Sequence, residues 1–280
     1  LASPEAIFNA IKGVGNRLDS LDKESLKDLT KLVNIARKEV INRLANKPTE
    51  YQAWKYSQTK ADLDRILDEL DRTLKTKMTG YIQESWDLGI AQVDEPLKAA
   101  EIFGMIPDIN VNMLTTFKDF SADLITNLTD EARKKIENAI KIGILAGDPI
   151  GRIAKQIGTN LEDRSIFKSI RTRAVTIGRT EINRIFNYSN DLRYVEAEKV
   201  VSDLAQMWVA AMDSRTRFSH RAADGQIAKH GEPFKVGSYE AQFPGDPSLP
   251  AKESVNCRCR IIPYHSDWNI DWSKHKIEIK

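Results

Sequence analysis

The sequence is poor in cysteine. Its 280 residues hold two, Cys257 and Cys259. Separated by one residue, they cannot build a disulfide framework, and a bond across so short a loop is strained. Reduced thiols, free or metal-bound, fit better and point to a cytoplasmic setting. Long apolar runs are missing too. No stretch approaches the roughly 18 consecutive apolar residues of a membrane span, so no membrane partner is expected. The start, Leu1-Ala2-Ser3-Pro4-Glu5, lacks the basic-then-apolar order of a secretion signal, and a chain opening on Leu1 reads as trimmed or processed. Net charge is small: 42 Lys and Arg against 40 Asp and Glu leave +2. A polyanionic partner must therefore be argued from local patches. A glycine-rich nucleotide-binding loop is also missing.

What is present first is helix. Leu26, Leu29, Val33, Ala36, Val40 and Leu44 recur at steps of three and four, and Pro48 is expected to end that helix. Leu63, Leu67, Leu70, Leu74, Met78 and Tyr81 form a second stripe, and the two segments are expected to make an antiparallel hairpin. The run Ile106 to Asn112, with Pro107, breaks the pattern as a linker or hinge. Phe117, Phe120, Leu124 and Leu128 resume it. Thr129 then reads as the cap of a further helix, with Asp130 and Glu131 favoured by the dipole of its first turn and Gly147 at its end. Asp148-Pro149 restarts a short helix over Ile150 to Ile157, with aspartate as cap and proline in the first turn. Arg164 to Ala197 is helical again.

After Val200 the periodicity fades, glycine and proline multiply between Gly231 and Pro250, and Met207 to Ala211 and Arg260 to Pro263 look like strands. The expected architecture is a mainly α N-terminal region followed by a small α+β C-terminal domain. Composition divides it into a helical arm or hairpin over 1–105, a helical region over 106–200, the small domain over 201–265 and a tail over 266–280.

Residues suited to chemistry concentrate late in the chain. Arg179-Thr180-Glu181, with Asn183 and Asn187, stands on the last long helix. Trp208, Asp213, Arg215-Thr216-Arg217, His220, Asp224-Gly225, a proline-rich loop and Asn256-Cys257-Arg258-Cys259 follow in order. This set, spanning about Asp148 to Pro263, resembles the phage Mu F-like minor head proteins, also called phage head morphogenesis proteins. The resemblance implies a virion or prophage protein, present in few copies at the portal vertex and procapsid interior, and needed for head assembly or for DNA packaging or delivery. Its implied partners are a portal protein and a capsid or scaffolding protein, met in the host cytoplasm during assembly. The helices before Asp148 carry no motif of that family.

The residues themselves leave several roles open. Cysteines at i and i+2 on an extended strand face one side, so Cys257, Cys259 and His220, with or without the Asp213 carboxylate, suit a structural zinc. The competing reading makes both thiols small buried hydrophobes, with Arg258 on the polar outer face. A His220 base oriented by Asp213 or Asp224 would be catalytic, and a cluster of His220, Asp213, Cys257 and Cys259 would give a metal-dependent hydrolase or nuclease, although His and Asp pairs commonly stitch loops together. Arg164, Lys168 and Arg171 fall on one helix face and suit phosphates of DNA, or a solvated surface. Arg179 and Glu181 suit an ion-pair network, Trp208 a core anchor and Asp224-Gly225 a turn. Trp268, Trp272 and the alternating Lys276 to Lys280 lie beyond the motif, as an edge strand, a docking tail or a disordered end.

Overall fold

The computed structural model describes residues 3–45, 53–102, 104–159, 164–272, 277 and 279. Helices come first: α1 (Pro4–Ala45), α2 (Ala53–Ala99), α3 (Asn112–Leu145), α4 (Ile150–Ile157) and α5 (Ile166–Glu198). A mixed region follows with β1 (Ala205–Val209), α6 (Phe218–Ala223), β2 (Ile227–Ala228), β3 (Phe234–Val236), β4 (Tyr239–Ala241), α7 (Ala251–Ser254) and β5 (Arg260–Tyr264). A mainly helical chain that ends in a small α+β part is the architecture expected from the sequence.

Helix α1 buries one face along its whole length, Ile7, Ile11, Val14, Leu18 and Leu21 continuing into Leu29, Val33, Ala36, Val40 and Leu44. On α2 the buried stripe runs from Leu63 to Leu97. The two are antiparallel, since Asp28 meets Lys77 at 2.6 Å and Arg17 meets Glu95 at 2.6 Å. The position of Pro48 lies outside the described residues.

Thr129 does not cap a helix. It sits inside α3, where its Oγ1 donates to Ile125 O at 3.1 Å and to Asp71 Oδ1 at 2.8 Å. The reason is the uninterrupted stripe Ile125, Leu128, Ala132, Ile136 and Ile140, all buried, whose continuity outweighs a local capping signal. At α4 the cap position belongs to Pro149, and the Asp148 carboxylate instead takes Arg152 Nη1 at 2.7 Å.

The chain packs as two compact units. One gathers Leu1–Lys23, Tyr81–Phe117 and Arg179–Lys280; the other gathers Glu24–Gly80 and Lys118–Gly178. These boundaries fall within α1, α2, α3 and α5. Composition registers which element a segment forms; packing depends on which stripes meet. The second unit is clamped by polar pairs between its helices. Arg133 reaches Asp64 at 2.8 Å and Asp68 at 2.6 Å, and Arg173 pairs with Glu131.

In the first unit the antiparallel sheet has the order β2-β1-β5, with Trp208 opposite Ile261 and Met207 opposite Ile262. Both faces are covered. Met207, Val209 and Ile262 pack with Ile7, Val93, Tyr194 and Trp268, while Trp208 and Ile261 pack with Phe234, Val236 and the two cysteines. The tail beyond the motif contributes to the first of these cores. Trp268, Ile270 and Ile279 are buried, and Trp272 lies edge-on to Phe8. Lys276, Glu278 and Lys280 lie outside the described residues.

Helix α5 approaches α2 closely at Gly89, where any Cβ would strike Ser189 and Phe186. Ser85 Oγ donates to Ile182 O at 2.6 Å and Ser189 Oγ to Trp86 O at 3.0 Å across the same contact. On its other side α5 presents Asn183, Asn187 and Asn190, spaced four and three apart and hence on one face. Asn187 Oδ1 accepts from Ile261 N at 2.9 Å, and its Nδ2 donates to Cys259 O at 3.1 Å. Asn183 Nδ2 donates to the same Cys259 oxygen at 3.1 Å, and Asn190 Nδ2 to Ile261 O at 2.9 Å. The outer edge of β5 is thus paired by side chains.

Replacing Asn187 with Ala strands the buried Ile261 N–H, an orphan that costs about 1–3 kcal/mol. Denaturant unfolding of Asn187→Ala is expected to show a loss of that size. Asn183→Ala should lose less, because Cys259 O keeps its bond from Asn187. One turn on, Asp191 accepts from Gln206 Nε2 at 3.1 Å, and burial pushes its carboxyl up to about 6. A folded value above the unfolded one makes the chain lose stability as pH rises from about 4 through 6, by up to about 2–3 kcal/mol. Asp191→Asn is expected to flatten that slope and to be the more stable protein at pH 7.5.

Candidate metal centre

The site begins with a closed excursion after β1. Gly225 N donates to Trp208 O at 2.8 Å, and Asp224 Oδ1 accepts from Ala210 N at 2.7 Å. The turn needs Gly225 at φ 77°, in the left-handed region where a side chain is strained. Within this loop α6 turns His220 inward. The ring is 2% exposed and stands edge-on to Trp208, with centroids 6.0 Å apart.

The cysteines lie in the extended run between α7 and β5, just before the strand instead of on it. Asn256, at φ 56°, starts that run, and its N–H donates to Thr180 Oγ1 of α5 at 3.1 Å. Alternation along an extended chain then sends both thiols to one side and Arg258 to the other. Arg258 does not form a polar outer face. Its Nη2 donates to Asp213 Oδ1 at 2.6 Å, and the side chain is 11% exposed.

His220 Nδ1 is 3.3 Å from Cys259 Sγ and 3.6 Å from Cys257 Sγ. The three donor atoms lie within 4.8 Å of one another and all three residues are buried. The other ring nitrogen, Nε2, is 3.1 Å from Glu253 Oε2, which also accepts from Ser219 Oγ at 2.9 Å. A carboxylate at Nε2 fixes the proton there, so the Nδ1 lone pair faces the sulfurs. The thiols act as a pair. The bond from Cys259 eases the Cys257 thiol down, while that bond and burial hold Cys259 well above the ordinary thiol value. Two sulfurs and an imidazole suit a soft or borderline metal, unlike calcium or magnesium, which take oxygen ligands.

Several expected partnerships change. The carboxylate on His220 is that of Glu253, not Asp213 or Asp224. Asp213 accepts from Arg215 N at 2.9 Å, Arg215 Nη2 at 2.9 Å and Thr216 Oγ1 at 3.2 Å besides Arg258. Arg258 first, and then Arg215, hold its carboxyl far below the ordinary range. It organises a loop, so a hydrolytic centre of His220, Asp213 and both cysteines loses its aspartate. Arg179 and Glu181 do not pair with each other. Arg179 Nε reaches Asp22 Oδ2 at 3.4 Å, and the buried Glu181 takes Arg184 Nη1 on both oxygens at 2.9 and 3.0 Å. Arg164 lies exposed before the first turn of α5, while Lys168 and Arg171 sit half-buried on that helix, each with a partner.

Glu253 and Ser219 were not singled out in the sequence. Glu253 follows Pro250 at a helix start, which reads as a turn of helix and nothing more. Its place beside His220 comes from a fold that joins residues 33 apart. Asn190 was missed as well, although its spacing from Asn183 and Asn187 carried the signal.

Residues 134–262 match the sequence model of the family described as Phage Mu protein F like protein. The match spans just under half of the chain. The chain is also 27% identical over 276 residues to the "Minor head protein GP7" of Bacillus phage SPP1, a match covering 91% of this chain and 83% of that protein. It is 31% identical over 133 residues to the "NAD(+)--arginine ADP-ribosyltransferase EFV" of Enterococcus faecalis, covering 48% of this chain and 26% of that protein. An uncharacterized protein of Haemophilus influenzae is 28% identical over 153 residues, covering 55% of this chain and 29% of that protein. No solved structure matches. The phage Mu F-like segment contains every motif residue from Arg179 to Cys259, including the His220, Cys257 and Cys259 cluster.

Asp213→Ala is expected to free the Arg215 amide. Removing one charge-assisted hydrogen bond, worth about 1.5–3 kcal/mol in a well-formed case, should speed hydrogen exchange at Arg215 on the order of tenfold. Unchanged exchange would show that the aspartate does not hold the loop.

Proposed function

We propose that this chain is a minor component of a phage or prophage head, acting in head morphogenesis at the portal vertex on the inner side of the shell. There it binds the portal protein and a capsid or scaffolding protein, and assists DNA packaging or delivery. The observation that carries this reading is the length of the SPP1 match. It covers 83% of that minor head protein and reaches through the N-terminal helices as well as the motif-bearing part. The transferase match covers 26% of its protein, so that activity is not carried over.

The fold is compatible with such a role. Long helices with polar outer faces suit docking along a large partner. No helix among the described residues is long and apolar enough to cross a membrane. A net charge of +2 leaves any contact with DNA to local groups such as Arg164, Lys168 and Arg171.

Coexpression with the portal protein of the same phage tests the reading. A complex that copurifies at physiological salt, and procapsids that lose the chain when portal is omitted, are the expected results. A chain that stays monomeric beside portal and enters procapsids equally without it would overturn the portal placement.

A further inference from the structure

We propose that the protein binds one zinc ion through Cys257 Sγ, Cys259 Sγ and His220 Nδ1, with Glu253 as the residue that positions the histidine. The argument starts from distance. Tetrahedral zinc with Zn–S of about 2.3 Å and Zn–N of about 2.0–2.1 Å places a bound nitrogen and sulfur about 3.6 Å apart. His220 Nδ1 stands 3.3 Å from Cys259 Sγ and 3.6 Å from Cys257 Sγ, so both nitrogen–sulfur separations are near those of a filled site, and all three donors lie within 4.8 Å of one another.

A second, independent observation is the far side of the imidazole. Metal-binding histidines characteristically donate their other N–H to a carboxylate or carbonyl, which fixes tautomer and ring direction. Here Nε2 meets Glu253 Oε2 at 3.1 Å, and Ser219 Oγ holds the same oxygen at 2.9 Å. A histidine used only as a packing group has no need of that backing, nor of an unprotonated nitrogen aimed at two sulfurs.

The ligands come from α6 and from the run leading into β5, which are 37 residues apart. The core they share holds four alanines beside Trp208, Phe234 and Phe243. A bond through the ion joins two segments far apart in sequence, which is the use of a structural metal in a loop-rich domain. Among the described residues no further His, Cys, Asp or Glu joins the group.

The test is metal content of the full chain, purified without a histidine tag from zinc-supplemented cells and dialysed against metal-free buffer. One zinc per chain is expected, with an X-ray absorption shell of two sulfurs and lighter atoms for the rest. Cys257→Ser and His220→Ala should each lose the ion. Because those variants risk misfolding, Glu253→Gln gives a separate reading. It keeps all three ligands and is expected to weaken zinc affinity about 10–100-fold, measured by competition with a chelator, while its circular dichroism stays unchanged. A well-folded wild type without zinc, a different stoichiometric metal, or an affinity unaltered in Glu253→Gln would each overturn the proposal. Metal content is read on the isolated chain, so failure here and failure to bind portal are distinguishable.

Discussion

Strand β5 is paired by β1 on one edge only, and its other edge is paired by amide side chains of α5. A buried strand edge cannot leave its backbone groups bare, because each orphan costs as much as a sizeable share of a domain's net stability. Asn183, Asn187 and Asn190 supply the missing partners in the way a further strand would. Because Cys259 O and Ile261 N are both held, the rotation of the chain about its own axis is fixed from Cys257 onward. The thiols then face His220. Arg260 enters the opposite side, where it donates to Gly15 O at 2.9 Å and pairs with Asp19. Helix α5 supplies no ligand, yet it decides where the ligands point.

Most residues of the family motif are positioning groups in this arrangement. Thr180 anchors the start of the cysteine run, Asp224 and Gly225 close the loop that carries α6, and Asp213 gathers Arg215, Thr216 and Arg258 around it. The guanidinium groups of Arg215 and Arg258 converge on Asp213, while the imidazole and thiols are buried beside Trp208. Trp208 anchors that core, fully buried, as its size suggested. A motif built this way holds the geometry of a small interior site.

Much of the helical region could be read directly, because an apolar residue every three or four positions has one cheap solution. The stripes on α1 and α2 and the short α4 follow from that period, as do the strands at β1 and β5 from short apolar runs bounded by turns. Errors arose where a local signal competed with a longer one. Thr129 has the chemistry of a cap, but the stripe from Ile125 to Ile140 carries the helix through it. The pairing of Arg179 with Glu181 failed for a related reason: neighbours in sequence on a helix point in different directions, and each found a partner elsewhere.

The sequence by itself determined the helices, the small α+β end, the likeness of residues 134–262 to the phage Mu F-like proteins and the three donor side chains of the cluster, since those depend on periodicity and on ordered residue types. The tertiary structure decided that Glu253 and not Asp213 backs His220, that Arg258 turns away from the thiols, and that the chain packs as two units cut across its helices. Those outcomes turn on loops closing over tens of residues, and loop closure is set by which backbone groups find partners in three dimensions, a quantity that no local pattern encodes.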